Sequence, residues 1–286
     1  MVNVTYISSR GKVFNLLSFD SAKLKDADFH KYSWGKEVVA RQFGEIVNRF
    51  TKTAQSFDCT FKFKGTPSVR RDLIESFNFE SEFDVCHMKM GRITWGDCYI
   101  EGYWLVADTT PEEDGKNYTT LKKTFYAPYP FWIKEQVIEI YPNIEGQESE
   151  TSKGYVPSQN RYGYDYSYAG AGNTVFIDTE HYKDSDFKMI AYGPAPSVQW
   201  TIGGNLYEVN YPLRANQYMV IDSRQSTPAD RQCYVVSESG IITNVFDYRN
   251  PSGELFKKIP SGNSILVYPR TYGLQLTIFK ERSEPI

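Results

Sequence analysis

Thr60-Phe61-Lys62-Phe63-Lys64 sets two phenylalanines on one face of an extended chain and two lysines on the other. Successive side chains of a strand point to opposite faces, so this period of two predicts a strand with one face in a core and one in water. The pattern returns at Ser197-Val198-Gln199-Trp200-Thr201-Ile202 and at Leu274-Gln275-Leu276-Thr277-Ile278-Phe279. Between such runs lie Gly203-Gly204, Asn250-Pro251-Ser252-Gly253 and Pro260-Ser261-Gly262-Asn263, residues that tolerate or impose turn geometry. The last third therefore reads as short strands joined by hairpins, the pattern of a sandwich.

Composition agrees. The 286 residues include 22 Tyr, 18 Phe and 5 Trp but only 12 Leu, which favours pleated sheet over helix. One helix is predicted at Thr66 to Asn78, about three turns, with Thr66 as cap, Pro67 in the first turn and Val69, Leu73 and Phe77 on one stripe. Lys36 to Arg49 carries a possible helical spacing, but Gly44 and its β-branched residues favour extended chain. The acidic and small-residue stretch Ile144 to Lys153 interrupts the apolar pattern. It predicts a join near residue 146 between domains 1–145 and 146–286, the alternative being a long surface loop within one domain.

A net charge of −3 without a basic block excludes sequence-wide attraction to nucleic acid or an anionic membrane. No apolar run reaches the ~20 residues of a membrane-spanning helix. The first ten residues lack the layout of a secretory signal, so the chain is expected to be soluble where it is made, and Asn3 and Asn117 are not expected to be glycosylated. Cys59, Cys86, Cys98 and Cys233 have no CxxC spacing and read as buried or half-buried free thiols of a reducing compartment.

A search for chemistry yields little. P-loop, dinucleotide fingerprint, HExxH and Gly-x-Ser-x-Gly motifs do not occur. His30, His87 and His181 lie far apart, and the acidic pairs Glu112/Glu113, Asp178/Glu180 and Asp184/Asp186 sit in loop-like stretches. No catalytic residue, metal ligand or cofactor is assigned. Tyr162, Tyr164, Tyr166 and Tyr168 alternate along one segment, a ladder suited to stacking on sugars, to burial at a protein interface, or to neither if they are exposed phenols of a loop.

The block from Gly91 to Tyr103, with Trp95-Gly96-Asp97 at its centre, and the later Thr124-Phe125-Tyr126-Ala127-Pro128-Tyr129-Pro130-Phe131-Trp132 resemble the distal tail protein family of long-tailed siphophages. Pro128, Pro130, Phe131 and Trp132 look like the segment closing that family's N-terminal domain. Ile190-Ala191-Tyr192-Gly193-Pro194 looks like a Pro-bounded strand of its second domain, and Asn244-Val245-Phe246 and Ser264 to Tyr268 look like its closing strands. The likeness spans most of the chain through the order of several loose motifs. It implies an all-β fold with one short helix: an N-terminal β-sandwich or split-barrel domain and a C-terminal galectin-like β-sandwich. It further implies a virion protein at the distal end of the tail, made in the host cytoplasm. Six copies would form a ring joining the tail tube protein to tip and receptor-binding proteins, without catalysis.

Phe131 and Trp132 are expected in the core rather than at a subunit contact, since a Pro-bounded aromatic pair can plug a sandwich end. Sugar binding does not carry over from galectins: His181 precedes Tyr-Lys-Asp and Trp200 precedes Thr-Ile-Gly, which departs from the lectin set. The rival expectation is a carbohydrate-binding adhesion module using the Tyr162 to Tyr168 ladder or the loops near Trp200.

Overall fold

The computed structural model describes residues 2–110, 117–142, 174–225 and 231–285. The expected join near residue 146 and the Tyr162, Tyr164, Tyr166 and Tyr168 ladder lie outside the described residues. The chain forms two compact units, Met1–Lys134 with Glu281–Ile286, and Glu135–Lys280.

In the first unit the strands are β1 (Val4–Ile7), β2 (Val13–Asn15), β3 (Lys23–Ala27), β4 (Gly35–Ala40), β5 (Glu45–Thr51), β6 (Gln55–Lys64), β7 (Gly91–Trp95), β8 (Cys98–Thr110) and β9 (Tyr118–Ala127). A single helix, α1 (Pro67–Cys86), separates β6 from β7. Strands β2, β1, β7 and β8 are neighbours in that order, and the far part of β8 continues into β9, β6 and β3. Alternation in β6 is real: Phe57, Cys59, Phe61 and Phe63 are buried and the residues between them are not. Their inner face meets Trp104, whose ring lies 5.7 Å from Tyr6, 5.4 Å from Phe61, 5.7 Å from Phe77 and 4.9 Å from Phe125. Each such ring contributes roughly 1.5–3 kcal/mol by leaving water.

Helix α1 starts where the sequence predicts but runs to Cys86 rather than Asn78. Of the expected stripe, Phe77 is fully buried and Leu73 packs on the core, while Val69 is exposed. Beyond Phe77 the inward residues are Glu80, Ser81 and Asp84. These are polar, which is why an apolar stripe stopped short.

Strand β10 (Trp132–Ile140) carries the chain into the second unit, and the last strand brings it back. That unit contains β11 (Thr174–Thr179), β12 (Asp186–Tyr192), β13 (Val198–Ile202), β14 (Asn205–Val209), β15 (Tyr218–Asp222), β16 (Gln232–Val236), β17 (Ile242–Asn244), β18 (Gly262–Val267) and β19 (Gly273–Arg282). One sheet runs β17-β16-β15-β12-β19-β10 and the other β11-β18-β13-β14. Met189, Val198, Trp200, Tyr207, Ile221, Leu266 and Leu276 share the core between them, so the unit is a β-sandwich. Trp200 stacks on Tyr207 at 5.4 Å and 8°.

Candidate assembly surface

Strands β4 and β5 pair only with each other among the described residues, forming a separate two-stranded sheet. The hairpin turns at Gly44, whose φ of +86° is the left-handed region glycine tolerates, and Arg41 N–H donates to the Gly44 carbonyl at 3.0 Å. Twelve of its thirteen strand residues are exposed. They include Val39, Ile46, Val47 and Phe50, and Phe43 in the turn is 89% exposed. An isolated two-stranded hairpin is marginally stable in water, and apolar groups left there gain nothing from folding. This arm has the composition of a surface that is covered by something else.

Its root is built differently. Trp34 precedes β4, Lys52 follows β5, and the Lys52 Nζ lies 4.4 Å from the ring centre of Phe131, 5.6 Å from Tyr32 and 5.7 Å from Trp34. An ammonium within about 6 Å of a ring is attracted to its negative face. Phe131 also meets Trp34 edge-on at 6.1 Å and Tyr129 at 5.3 Å, and the Tyr129 hydroxyl donates to the Glu281 carboxylate. Within the arm, Lys36 and Glu45 pair at 2.7 Å. The exposed arm thus springs from a base held by ring contacts.

The other residues singled out in the sequence are spread over both units. Trp132 is fully buried against Phe29 and Phe57, and Phe131 is 9% exposed. Pro130 is buried and Pro128 exposed in the turn before them. Gly96 and Asp97 form the turn between β7 and β8; Gly96 has φ +60° and its N–H donates to the Asn3 carbonyl at 2.9 Å. Trp95 packs between Phe29 and His30. The Lys134 ammonium binds the Asp97 carboxylate and holds its pKa below the ordinary range. In the second unit, the Gly193-Pro194 bond is cis, and a Cβ on Gly193 would sit 2.2 Å from the Arg214 carbonyl oxygen. Of this set, Phe131 lies at the root of the arm, against Trp34 and Lys52.

A polar seam ties α1 to β1. Tyr6 donates to Asp84 at 2.5 Å, Ser8 to Glu80 at 2.8 Å, and the Ser9 N–H to Asp84 at 3.0 Å. Burial pushes the Tyr6 phenol far up, and the Asp84 carboxylate beside it adds to the shift. On the same helix Ser81 accepts from Lys123 at 3.0 Å, and burial lowers the Lys123 ammonium from its ordinary 10.5 to about 8. Next to this seam, an open groove of about 540 Å³ runs along α1, lined by Ile74, Asn78, Phe79, Glu82, Thr109 and Thr119 among others.

Groups with chemical potential are engaged elsewhere. His30 faces Glu284 at 3.6 Å, His87 stacks on Phe83, and His181 contacts the Lys183 carbonyl at 2.7 Å. Asp186 is held by Lys258 at 2.8 Å and Ser223 at 3.1 Å, while Asp184 accepts from the Ser261 N–H. Cys59, Cys98 and Cys233 are buried free thiols; Cys86, at the end of α1, is exposed and differs from the expected burial because the helix carries it to the surface. Burial raises the Cys59 and Cys233 thiols, the latter to about 12. Among the described residues no group of three or more His, Cys, Asp or Glu is placed to hold a metal. Trp200, at 1% exposure, is a core residue and offers no platform for sugar. The sequence predicts extended chain at Lys36 to Arg49 and a core position for Phe131 but does not mark the arm as an exposed apolar surface. The available signal was the doublets Val38-Val39 and Ile46-Val47, which put apolar side chains on both faces of a hairpin.

No family model matches the sequence, and no curated protein matches it. Solved structures do. A crystal structure of SPP1 Dit (gp 19.1), described as a paradigm of the hub adsorption apparatus in phages infecting Gram-positive bacteria, superposes with a TM-score of 0.60 at 11% identity, over 98% of this chain and 99% of that one. The chain shares its fold with phage hub and baseplate proteins. A chain of the phage P2 baseplate in its activated conformation with Ca gives 0.66 at 14% identity, and the phage p2 baseplate with Sr gives 0.66 at 12%, each over 99% of both chains. The likeness in fold runs over nearly the whole length of each pair of chains despite the low identity.

Proposed function

We propose that this chain is a structural phage or prophage distal tail protein. Six copies form a ring hub at the distal end of the tail, joining the tail tube to tip and adsorption proteins. End-to-end likeness to hub and baseplate chains supports this reading, and the projecting apolar arm carries it in this molecule. A ring needs one patch of each subunit to meet a different patch of the next. A stable contact needs on the order of 800 Å² per partner. An arm on a rigid base that leaves its apolar residues bare supplies one of the two patches. The function is mechanical: stiff sheet-built subunits transmit position around an axis, and no bond is made or broken.

Light scattering after size exclusion, with electron microscopy of the same fractions, tests it. The expected species has about six times the 33.0 kDa of one chain and a central opening. A strict monomer at tens of micromolar, also in the presence of tail-tube and tip proteins, overturns the reading.

A further inference from the structure

The larger sheet of the second unit carries a slot on its outer face. Met189, Ala191, Leu274 and Leu276 are buried in the sandwich core, so the residues alternating with them on β12 and β19 point outward. There Gly273 of β19 is paired with Tyr192 of β12. On the other side of β19 lies β10, and Tyr141 follows its last residue. Glu139, Tyr141, Tyr192, Gly273 and Gln275 are among the residues lining an open slot of about 240 Å³. Tyr141 and Tyr192 are 74% and 44% exposed.

The side chains around this slot are tied to one another. The Tyr141 hydroxyl donates to Glu139 Oε2 at 3.0 Å, Gln275 Nε2 donates to Glu139 Oε1 at 3.3 Å, and the Tyr192 hydroxyl donates to Gln275 Oε1 at 3.2 Å. The Tyr268 hydroxyl anchors the Tyr141 carbonyl at 3.4 Å. This run of bonds holds a carboxylate and an amide between two phenol rings, with Gly273 as the floor. Nothing in the fold requires a glycine there. Its φ lies outside the left-handed region, and an added Cβ would meet Tyr192 at 3.5 Å, an ordinary contact. Glycine weakens a strand, and one that the backbone does not demand marks a place that a ligand approaches closely.

Charge and spacing select the ligand. Among the described residues lining the slot Glu139 alone is charged, and no described cationic side chain pairs with it. Tyr141 and Tyr192 flank β19 on its two sides, two strand spacings or about 9.6 Å apart. A group held midway lies about 5 Å from each, inside the ~6 Å over which a ring face attracts a cation. A calcium-like metal ion takes about six or more oxygens, which one carboxylate does not supply. A primary ammonium is strongly hydrated, whereas a trimethylammonium group joins a positive charge to an apolar surface and so matches both the rings and the acid. We infer that the slot formed by Tyr141, Glu139, Gln275, Tyr192 and Gly273 binds a trimethylammonium group of the choline type. This site goes beyond the hub reading and holds whether or not six copies close a ring.

The test is a ligand-observed NMR titration of the full-length chain with choline, beside the uncharged isostere in which a tert-butyl group replaces trimethylammonium. Choline is expected to bind in the millimolar range, about tenfold or more tighter than the isostere. Glu139→Gln keeps the shape of the slot and removes its charge, and is expected to abolish that preference. Gly273→Leu fills the floor and is expected to abolish binding of both. Unchanged circular dichroism and thermal transition establish that each variant is folded; if Gly273→Leu is not, Glu139→Gln and the isostere decide. Flotation with vesicles of phosphatidylcholine, but not of phosphatidylglycerol, assigns the group to a lipid headgroup, and binding of free choline without flotation assigns it to a source outside the bilayer. Equal binding of the isostere, a preference retained in Glu139→Gln, binding of glucose in place of choline, or no binding of choline overturns the inference.

Discussion

Replacing Lys123 by methionine removes a buried charge from the first unit while keeping most of its volume. Lys123 is 5% exposed, with its ammonium 3.0 Å from Ser81 and 4.9 Å from the Phe77 ring centre. Its pKa falls from 10.5 in the open chain to about 8 in the fold. Below about pH 8 both states hold the proton and the whole cost of burying the charge is present, on the order of 3 kcal/mol. Between those two values the unfolded chain holds a proton that the folded chain lacks, so stability rises with pH. The Cys59 and Cys233 thiols, raised by burial, act in the opposite sense from about pH 9 upward and are common to both proteins. Methionine does not titrate. The stability difference between Lys123→Met and the native chain is therefore expected to move by about 2 kcal/mol between about pH 7 and about pH 9.5, in favour of the native chain at the higher pH. Urea titration followed by tryptophan fluorescence reads it, because Trp34, Trp95, Trp104 and Trp132 lie in the first unit and Trp200 in the second. A difference that stays constant across that range refutes the assignment of a buried, partly discharged lysine.

Trp132→Ala should destabilise the first unit by about 3–5 kcal/mol, a shift of its urea midpoint, since the indole is fully enclosed by Phe29 and Phe57. Phe131→Ala should instead loosen the arm. Faster amide exchange across residues 35–51, with weaker self-association, is the expected result. Gly193→Ala should cost several times the ~1 kcal/mol of an ordinary glycine change and should lower the thermal midpoint of the second unit, because the new methyl group meets the Arg214 carbonyl. Asp84→Asn, which weakens the bonds from Tyr6 and Ser9, should destabilise the α1–β1 seam by about 1–3 kcal/mol in urea.

Sequence reading succeeded where periodicity and chemistry coincide. The runs at Phe61-Lys62-Phe63 and Leu274 to Phe279 alternate because one face is in the core, and burial follows that alternation. Gly44 and the β-branched residues around it correctly favoured extended chain over helix. The helix was half legible. Its start shows in Thr66-Pro67, but its second half is held by Glu80 and Asp84, whose partners Tyr6, Ser8 and Ser9 lie more than 70 residues away. Charges facing inward look like a solvated face until those partners are known. Trp200 shares a face with Val198 and Ile202 in its alternating run, and that face is buried, with the stacked Tyr207 and the opposing sheet enclosing the indole. The exposed arm was the least legible, because an apolar side chain is written the same way whether or not its own chain covers it.

The first unit is not complete when its core sequence has been translated. Its final residues, Glu281 to Ile286, emerge only after the whole of the second unit. Among them Glu281 accepts the hydroxyl of Tyr129, the ring that braces Phe131 beneath the arm. A nascent or prematurely terminated polypeptide lacks that carboxylate, so the socket of its projecting hairpin is left unfinished. A clasp contributed from beyond the second unit makes the footing of the hairpin depend on translation having passed through both units.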